Sequence, residues 1–225
     1  MSDTSVWNRN NLINKNKYKF YPSEVMLRSI FSNSYFNIEN INEGGNLLDI
    51  GTLYTNNMTP FVDRGWRCFG TEVTDESVQI ARESAKLNGL DVDVSLGFNM
   101  ALPYEDKKFD LLLSLSTIHY EENEDDVKAA LSEFYRVLKN DGVALIQTVA
   151  PKHDIFTNSK KIKKNIYQLN MQDDIRNGQK FIFFKQINDF IDIASNFFKE
   201  IEIARVTESY PKGCIDYWLV KLQKI

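Results

Sequence analysis

Apolar and polar positions along this chain follow two different spacings, which alternate along the sequence. Short runs that are apolar at most positions, beginning at 47–50, are separated by stretches in which apolar residues recur every three or four positions. The first spacing is typical of a buried strand and the second of an amphipathic helix. Because the two alternate from residue 46 onward, the sequence predicts an open α/β sheet.

The individual elements can be placed from this pattern. The predicted strands are 47–50, 67–72, 92–96, 109–115, 143–149, 201–206 and 215–222, and the predicted helices begin near Tyr21–Glu24 or span 58–63, 75–87, 122–138 and 187–198. The run 109–115 is apolar at nearly every position, which indicates a central strand buried on both faces. Only 207–213 separates the last two strands, so we expect an antiparallel hairpin there.

A length of 225 residues suits one domain with a small cap. We therefore expect a single domain over 1–225, in which 1–36 form an N-terminal arm and helix. Residues 150–185 break the alternation and carry several lysines. We expect them to form an inserted cap.

Composition narrows the class of partner. The formal net charge is −4, which disfavours bulk attraction to nucleic acid or to an anionic membrane surface. No apolar run approaches the roughly 20 residues that span a bilayer, and residues 1–16 lack the apolar core of a signal peptide. Cys68 and Cys214 are too few for a disulfide framework. We expect a reduced, cytoplasmic protein that binds neither nucleic acid nor membrane.

Four segments, taken in order, resemble the class I methyltransferases that use S-adenosylmethionine. They are the acid-and-glycine turn 48–51, the acidic strand end 70–73, the segment 102–111, and 134–142, which is similar to the family's "RVLKPGG" turn. The resemblance covers about residues 20–225. It implies a Rossmann-like seven-stranded, mostly parallel sheet with its last strand antiparallel and helices on both faces. It also implies S-adenosyl-L-methionine as the cofactor.

The resemblance assigns the ribose and methionine ends of the cofactor to the first two strand ends. Glu72 is placed to accept both ribose hydroxyls, as an acid does in dinucleotide sites, although a solvated glutamate would look the same in sequence. Asp49 is expected to bind the amino group, directly or through water, or else only to pin the loop. Gly51 allows close backbone approach. The family's next two glycines are replaced by Leu53 and Thr55, which argues against a dinucleotide and leaves open a lost cofactor site.

The resemblance also implies that adenine lies beside the loop that follows the third strand, where the acid often found in the family is absent and residues 97–100 stand in its place. Asn99 is expected to hydrogen-bond the adenine edge while Phe98 or Met100 packs on its face; ordinary turn and core roles are the alternative. The remaining expected cofactor contacts are Tyr21 just before the N-terminal helix, Val73 after the second strand and Leu115 at the end of the fourth. Arg28 in that helix is expected to pair with the methionine carboxylate if the helix covers the site; a solvated arginine is the alternative.

The chain has two histidines, His119 after the fourth strand and His153 after the fifth. Both follow strands whose carboxyl ends meet at one edge, and histidine accepts protons near neutral pH. We expect one of them to be the base for a hydroxyl acceptor. Tyr120 and Arg176 are expected to contact the acceptor, with Arg176 binding a phosphate if it carries one. The acids at 121–126 suit the first turn of a helix, so we expect no metal.

The leading interpretation is a methyltransferase that O-methylates a small metabolite such as a sugar or sugar nucleotide. Loose resemblance of 21–24 and 151–184 to enzymes of bacterial surface-polysaccharide (capsule) pathways suggests that setting. One alternative is methylation of a nitrogen or a phosphoryl oxygen on a related small molecule. The other is a non-catalytic member of the family that has lost cofactor binding.

Overall fold

The computed structural model describes residues 4–7, 20–32, 34–39, 41 and 43–225. Within them the helices are α1 (Glu24–Phe31), α2 (Thr59–Val62), α3 (Asp75–Leu87), α4 (Glu124–Val137), α5 (Asp154–Thr157) and α6 (Ile187–Ala194). The strands are β1 (Asn46–Ile50), β2 (Arg67–Glu72), β3 (Val92–Leu96), β4 (Phe109–Leu115), β5 (Leu138–Val149), β6 (Ser159–Lys163), β7 (Ile166–Leu169), β8 (Lys180–Ile182), β9 (Glu200–Tyr210) and β10 (Gly213–Gln223). Most of the predicted arm 1–20 lies outside the described residues.

The main sheet has seven strands in the order β3-β2-β1-β4-β5-β10-β9. Strands β1 to β5 pair in parallel, whereas β10 is antiparallel to both β5 and β9. The predicted Rossmann-like sheet with an antiparallel final strand is therefore confirmed. Its parallel strands end together, since Ile50 lies opposite both Thr71 and Ser114. That shared edge is where open α/β sheets bind ligands.

Apolar side chains cover both faces of the sheet. On one face α4 and α6 pack through buried residues such as Phe134 and Phe190. On the other, α1 and α2 pack through Met26, Ile30 and Phe61. This two-sided cover explains why β4 reads as a continuous apolar run. No helix among the described residues is long and apolar enough to cross a membrane.

Several boundaries differ from the sequence prediction, and the start of β5 differs by the most residues. Strand β5 begins at Leu138 rather than at 143, because Leu138 pairs with Phe109 before a register shift. Asp141 adopts a φ of 63° within that irregular start, and its N–H donates to the Lys224 carbonyl. Pairing with a neighbouring strand, which the local pattern does not encode, therefore extends the strand through the predicted turn.

The region predicted as a cap contains α5 and a separate antiparallel sheet, β6-β7-β8. Its apolar side is aromatic: Phe181 and Phe183 stack 5.4 Å apart between ring centroids, and both are fully buried. Phe181 also contacts Tyr120 at 5.1 Å. The small sheet is thus joined to the segment that follows β4.

Candidate active site

The loop after β1 follows the path that glycines would give it. Gly51, Leu53 and Thr55 have φ angles of 68°, 40° and 57°. Left-handed backbone costs an L-residue about 1–2 kcal/mol, so Leu53 and Thr55 hold this conformation against their own preference. The N–H groups of Gly51 and Thr52 donate to the Thr71 carbonyl and fix the loop on β2. Leu53 and Thr55, which stand where the family has glycines, therefore adopt backbone angles that favour glycine.

Glu72 connects the end of β2 to this loop. The Leu53 N–H donates to Glu72 Oε1 over 2.6 Å, and burial raises the pKa of the Glu72 carboxyl. A carboxylate has about four acceptor positions, so Glu72 retains capacity for further donors. Its side chain also lines the adjoining cavity.

A cavity of about 280 Å³ lies at the carboxyl ends of β1, β2 and β4. Eight residues predicted from sequence line it: Gly51, Glu72, Val73, Phe98, Asn99, Met100, Leu115 and Tyr120. The other lining residues are Trp7, Ile50, Leu53, Thr71, Gly97, Ser116, Thr117 and Glu121. The structure therefore brings the predicted ribose and adenine residues to one enclosed space.

Tyr21 and Arg28 are not among the described residues that line this cavity. Tyr21 is 77% exposed. The Arg28 guanidinium lies 4.0 Å from Glu24 and 5.2 Å from the centroid of the Tyr35 ring. Helix α1 packs instead on the sheet face that α2 also covers. The predicted contact of Arg28 with the cofactor carboxylate has no support from this placement.

Asp49 lies behind the loop rather than in the cavity wall. Its side chain is 2% exposed, and no donor reaches Oδ2 within the described part of the chain. Burial raises the pKa of the Asp49 carboxyl to about 7, and the negative charge of Glu72 adds to the rise. Asp49 is therefore a buried acid with one unpaired oxygen, and an interaction with the Thr52 side chain only partly offsets the effect of burial on its pKa.

This placement predicts how stability depends on pH. Because the folded-state pKa of Asp49 lies above its ordinary value, its stabilising contribution is complete below about pH 4 and is lost as pH rises to about 7. Without cofactor, we expect Asp49→Asn to be more stable than the original protein by about 4 kcal/mol at pH 8, because a pKa raised from 3.8 to about 7 is worth about 1.4 kcal/mol for each pH unit, and nearly equal at pH 4. Urea unfolding at both pH values measures this difference. An unchanged pH dependence in the variant would contradict it.

The His119 ring is enclosed by aromatic side chains. It is 1% exposed, with Tyr120 at 4.8 Å and Phe181 at 5.8 Å between ring centroids. Its hydrogen-bond contact is Nδ1 to the Thr148 hydroxyl at 3.5 Å. Burial lowers the pKa of His119 to about 3, with the Arg176 charge adding to the effect. A neutral, weakly basic ring outside the cavity lining does not favour the predicted role as base.

His153 serves as the N-cap of α5. Its Nδ1 accepts from the Ile155 N–H over 3.1 Å, which places the proton of the neutral ring on Nε2. The ring packs on Tyr217 at 5.0 Å, and burial lowers its pKa. To take up a proton, this ring would have to give up its capping bond.

Tyr120 joins the cavity to the cap. One side contacts Trp7, whose ring centroid is 5.7 Å away, and the other contacts Phe181. Arg176 forms a two-bond ion pair with Asp174, at 2.8 and 2.6 Å. Burial raises the pKa of Tyr120 and the Arg176 charge opposes that rise. Arg176 thus lies close behind Tyr120, but it is not part of the described cavity lining.

Glu121 and Trp7 are two of the eight lining residues that were not assigned to the site from sequence. Glu121 was interpreted as part of a helix start, yet α4 begins at Glu124 with Asn123 as its cap, and Glu121 faces the cavity. Trp7 lies in a polar segment without periodicity, and its carbonyl accepts from the Thr74 hydroxyl at 3.4 Å. The position of Glu121 shortly after the end of β4 could have indicated that it lies at the site. No feature of the sequence indicated Trp7. Among the described residues, no cluster of three or more His, Cys, Asp or Glu is arranged to hold a metal.

With this geometry established, known proteins give a consistent comparison. Residues 48–146 match the family described as a methyltransferase domain. An uncharacterized methyltransferase of Bacillus subtilis (strain 168), YcgJ, is 31% identical over 111 residues, which are 48% of this chain and 43% of that protein. The chain therefore matches less than half the length of this curated relative.

Solved structures extend the likeness in fold to most of the chain. A structure described as a SAM-dependent methyltransferase from Methanosarcina mazei has a TM-score of 0.68 at 12% identity, covering 92% of this chain and 99% of that one. A SAM-dependent methyltransferase from Thermotoga maritima, described as a possible histamine N-methyltransferase, has a TM-score of 0.59 at 20% identity, covering 80% and 83%. At these identities the likeness concerns the fold.

The residues present fit S-adenosylmethionine. A Cβ at Gly51 would lie 2.6 Å from Thr117 Cγ2, so the narrow loop depends on glycine. The loop lies beside a strand-end carboxylate that retains acceptor capacity, and the unpartnered Asp49 oxygen lies behind it. These features match a ligand with a ribose diol and an ammonium group.

Proposed function

We propose that this chain is an S-adenosylmethionine-dependent methyltransferase of a small-molecule acceptor. The observation that carries the proposal is Glu72. Its carboxylate lines the cavity at the end of β2 while holding the Leu53 N–H of a loop with left-handed backbone at 51, 53 and 55. The family match over 48–146 supports the same activity.

In this proposal Glu72 accepts the two ribose hydroxyls, and Phe98 and Met100 pack against adenine. Asp49 balances the charge of the amino group from behind Gly51. When bound, the cofactor supplies an activated methyl group. The apolar lining of the cavity excludes water from that methyl group. This lining includes Leu53, Val73, Phe98, Met100 and Leu115.

The chain's own contribution is then mostly positioning. Tyr120 and Trp7 meet edge to face where the cavity lining meets the cap, so an acceptor near them approaches the cavity from the cap side. Fixing an acceptor in line with the transferred group removes much of the entropy cost of a two-molecule reaction.

The narrower proposal is O-methylation of a hydroxyl on a sugar or sugar nucleotide. Its support is Tyr120 in the cavity wall and Arg176 behind it. Asp174 already pairs with Arg176, so a phosphorylated acceptor would have to share or displace that carboxylate. A place in surface-polysaccharide biosynthesis rests on the sequence resemblance of 21–24 and 151–184 alone.

Methylation of an amine is the second candidate, and the two histidines favour it. His119 is buried with a pKa of about 3, and His153 Nδ1 is occupied as a cap. A hydroxyl acceptor needs a base, whereas an amine that is partly unprotonated needs none. Product analysis with matched alcohol, amine and phosphate acceptors separates the candidates.

The role of His153 can be decided by one substitution. In His153→Asn the amide oxygen can replace Nδ1 as the cap of α5, because asparagine is a preferred N-cap, while the base is removed. We expect turnover within about 3-fold of the original. His153→Ala, which loses the cap, should lower the free energy of unfolding by about 1 kcal/mol. A loss of 100-fold or more in His153→Asn, within the range of a lost general base, would restore the histidine as base.

The activity itself is tested by calorimetric titration with S-adenosylhomocysteine, followed by a transfer assay with the acceptor panel. Micromolar binding is expected. An absence of binding would favour a non-catalytic protein that keeps the fold.

A further inference from the structure

The proposed mechanism leaves Glu121 unused. This residue lies between the turn Ile118–Tyr120 and α4, and its side chain lines the cavity although only 8% of the residue is exposed. Asn99 Nδ2 donates to Glu121 Oε1 over 2.7 Å and to the Thr117 carbonyl over 3.4 Å. Because the nitrogen faces two acceptors, the orientation of the amide is fixed. Asn99 therefore holds one oxygen of Glu121 in place.

The second oxygen of Glu121, Oε2, accepts no hydrogen bond from the described residues, and it is not fully shielded from solvent. Burial raises the pKa of Glu121 to about 7, although the Asn99 hydrogen bond opposes that rise. A buried carboxylate with one unpaired oxygen gains from a ligand that donates a hydrogen bond.

The surroundings indicate which donor fits. Asn99 lies between Phe98 and Met100, two lining residues suited to the face of a flat ring. Glu72, at the end of the neighbouring strand, is placed for a ribose. A purine attached to that ribose would direct its 6-substituent toward Glu121. In adenine the 6-substituent is an amino group.

We propose that Glu121, positioned by Asn99, accepts a hydrogen bond from the 6-amino group of the cofactor adenine and selects adenine over a 6-oxopurine. This inference rests on the proposed function. In a 6-oxopurine the amino group is replaced by a carbonyl oxygen. At pH 8, where Glu121 is mostly ionised, that oxygen would face the carboxylate without a proton between them. Such a mismatch of buried polar groups is a strong basis for discrimination.

Calorimetric titration at pH 8 with S-adenosylhomocysteine and S-inosylhomocysteine tests this selection. We expect the original protein to prefer the adenosyl ligand by about 100-fold, the range of one charge-assisted hydrogen bond. In Glu121→Gln the preference should fall below about 5-fold, since the amide can donate to the 6-oxo group. Asn99→Ala should lower it as well, because Glu121 loses its support. Glu122→Gln, which removes the neighbouring exposed charge, should leave the preference unchanged.

The possible results separate the two proposals. If the original protein binds neither ligand, the proposed function fails. If it binds both equally, or if Glu121→Gln keeps the full preference, only the selection by Glu121 is overturned. If Glu121→Gln keeps the preference for the adenosyl ligand but has a raised KM for the acceptor, then Glu121 contacts the acceptor. That result also overturns the selection of adenine by Glu121. If thermal melting shows that Glu121→Gln does not fold, Glu121→Asp serves as the second variant. Its shorter side chain moves the carboxylate away from the ligand, and we expect the preference for the adenosyl ligand to fall.

Discussion

Glu72→Gln should bind S-adenosylhomocysteine about 1,000-fold more weakly than the original protein does. Two charge-assisted hydrogen bonds to the ribose are each worth about 1.5–3 kcal/mol, and about 4 kcal/mol corresponds to 1,000-fold in Kd. The variant keeps the size of the side chain and can still accept from the Leu53 N–H. The loop is therefore retained, and the loss concerns the ligand.

A matched control and an altered ligand make this result specific. Asp75→Asn removes an exposed acid from the start of α3 and should change the affinity by less than 3-fold. The original protein should bind the 2′-deoxy form of S-adenosylhomocysteine much more weakly than it binds the parent ligand. Glu72→Gln should bind the two ligands with nearly equal affinity. Equal losses from deoxygenation in both proteins would show that Glu72 does not bind the ribose.

The same strand end shows what a sequence can predict about this fold. Strands β2, β3 and β4 match their predicted limits. Strand β4 is apolar at nearly every position, and β3 alternates between apolar and polar residues. Glu72 and Gly51 could be placed because the ends of parallel strands share one edge of the sheet. The start of β5 could not, since it depends on pairing with Phe109 and Lys224 rather than on local pattern.

The candidate site divides in the same way. The family resemblance together with strand-end position predicted Asn99 and Met100, which line the cavity. It did not predict the direction of His119, whose ring is held by Phe181 from the distant cap. Nor did it distinguish an acid in the cavity from one behind it, as Glu121 and Asp49 show. Side-chain direction is set by packing between segments far apart in sequence, and no single segment encodes it.

Gly51→Ala is expected to lower the free energy of unfolding by about 3 kcal/mol and to reduce affinity for S-adenosylhomocysteine by more than 100-fold. Part of the cost, about 1 kcal/mol, is left-handed backbone at a φ of 68°. The rest is steric, because the new Cβ would lie 2.6 Å from Thr117 Cγ2. Since Thr117 also lines the cavity, relieving this contact would move the wall against which the methionine end is proposed to bind.

Two further variants separate backbone strain from steric overlap. Gly65 has a φ of 78°, and a Cβ there would have no atom within 4 Å, so Gly65→Ala should lower stability by the backbone cost alone and leave binding intact. Thr117→Ser removes Cγ2 but keeps the hydroxyl that contacts Ser114 Oγ at 2.6 Å. Gly51→Ala combined with Thr117→Ser should therefore be destabilised about as much as Gly65→Ala and should regain most of the affinity. If Gly51→Ala alone is no worse than Gly65→Ala, then the contact with Thr117 is not what requires glycine, and Leu53 and Thr55 become the residues that define the loop.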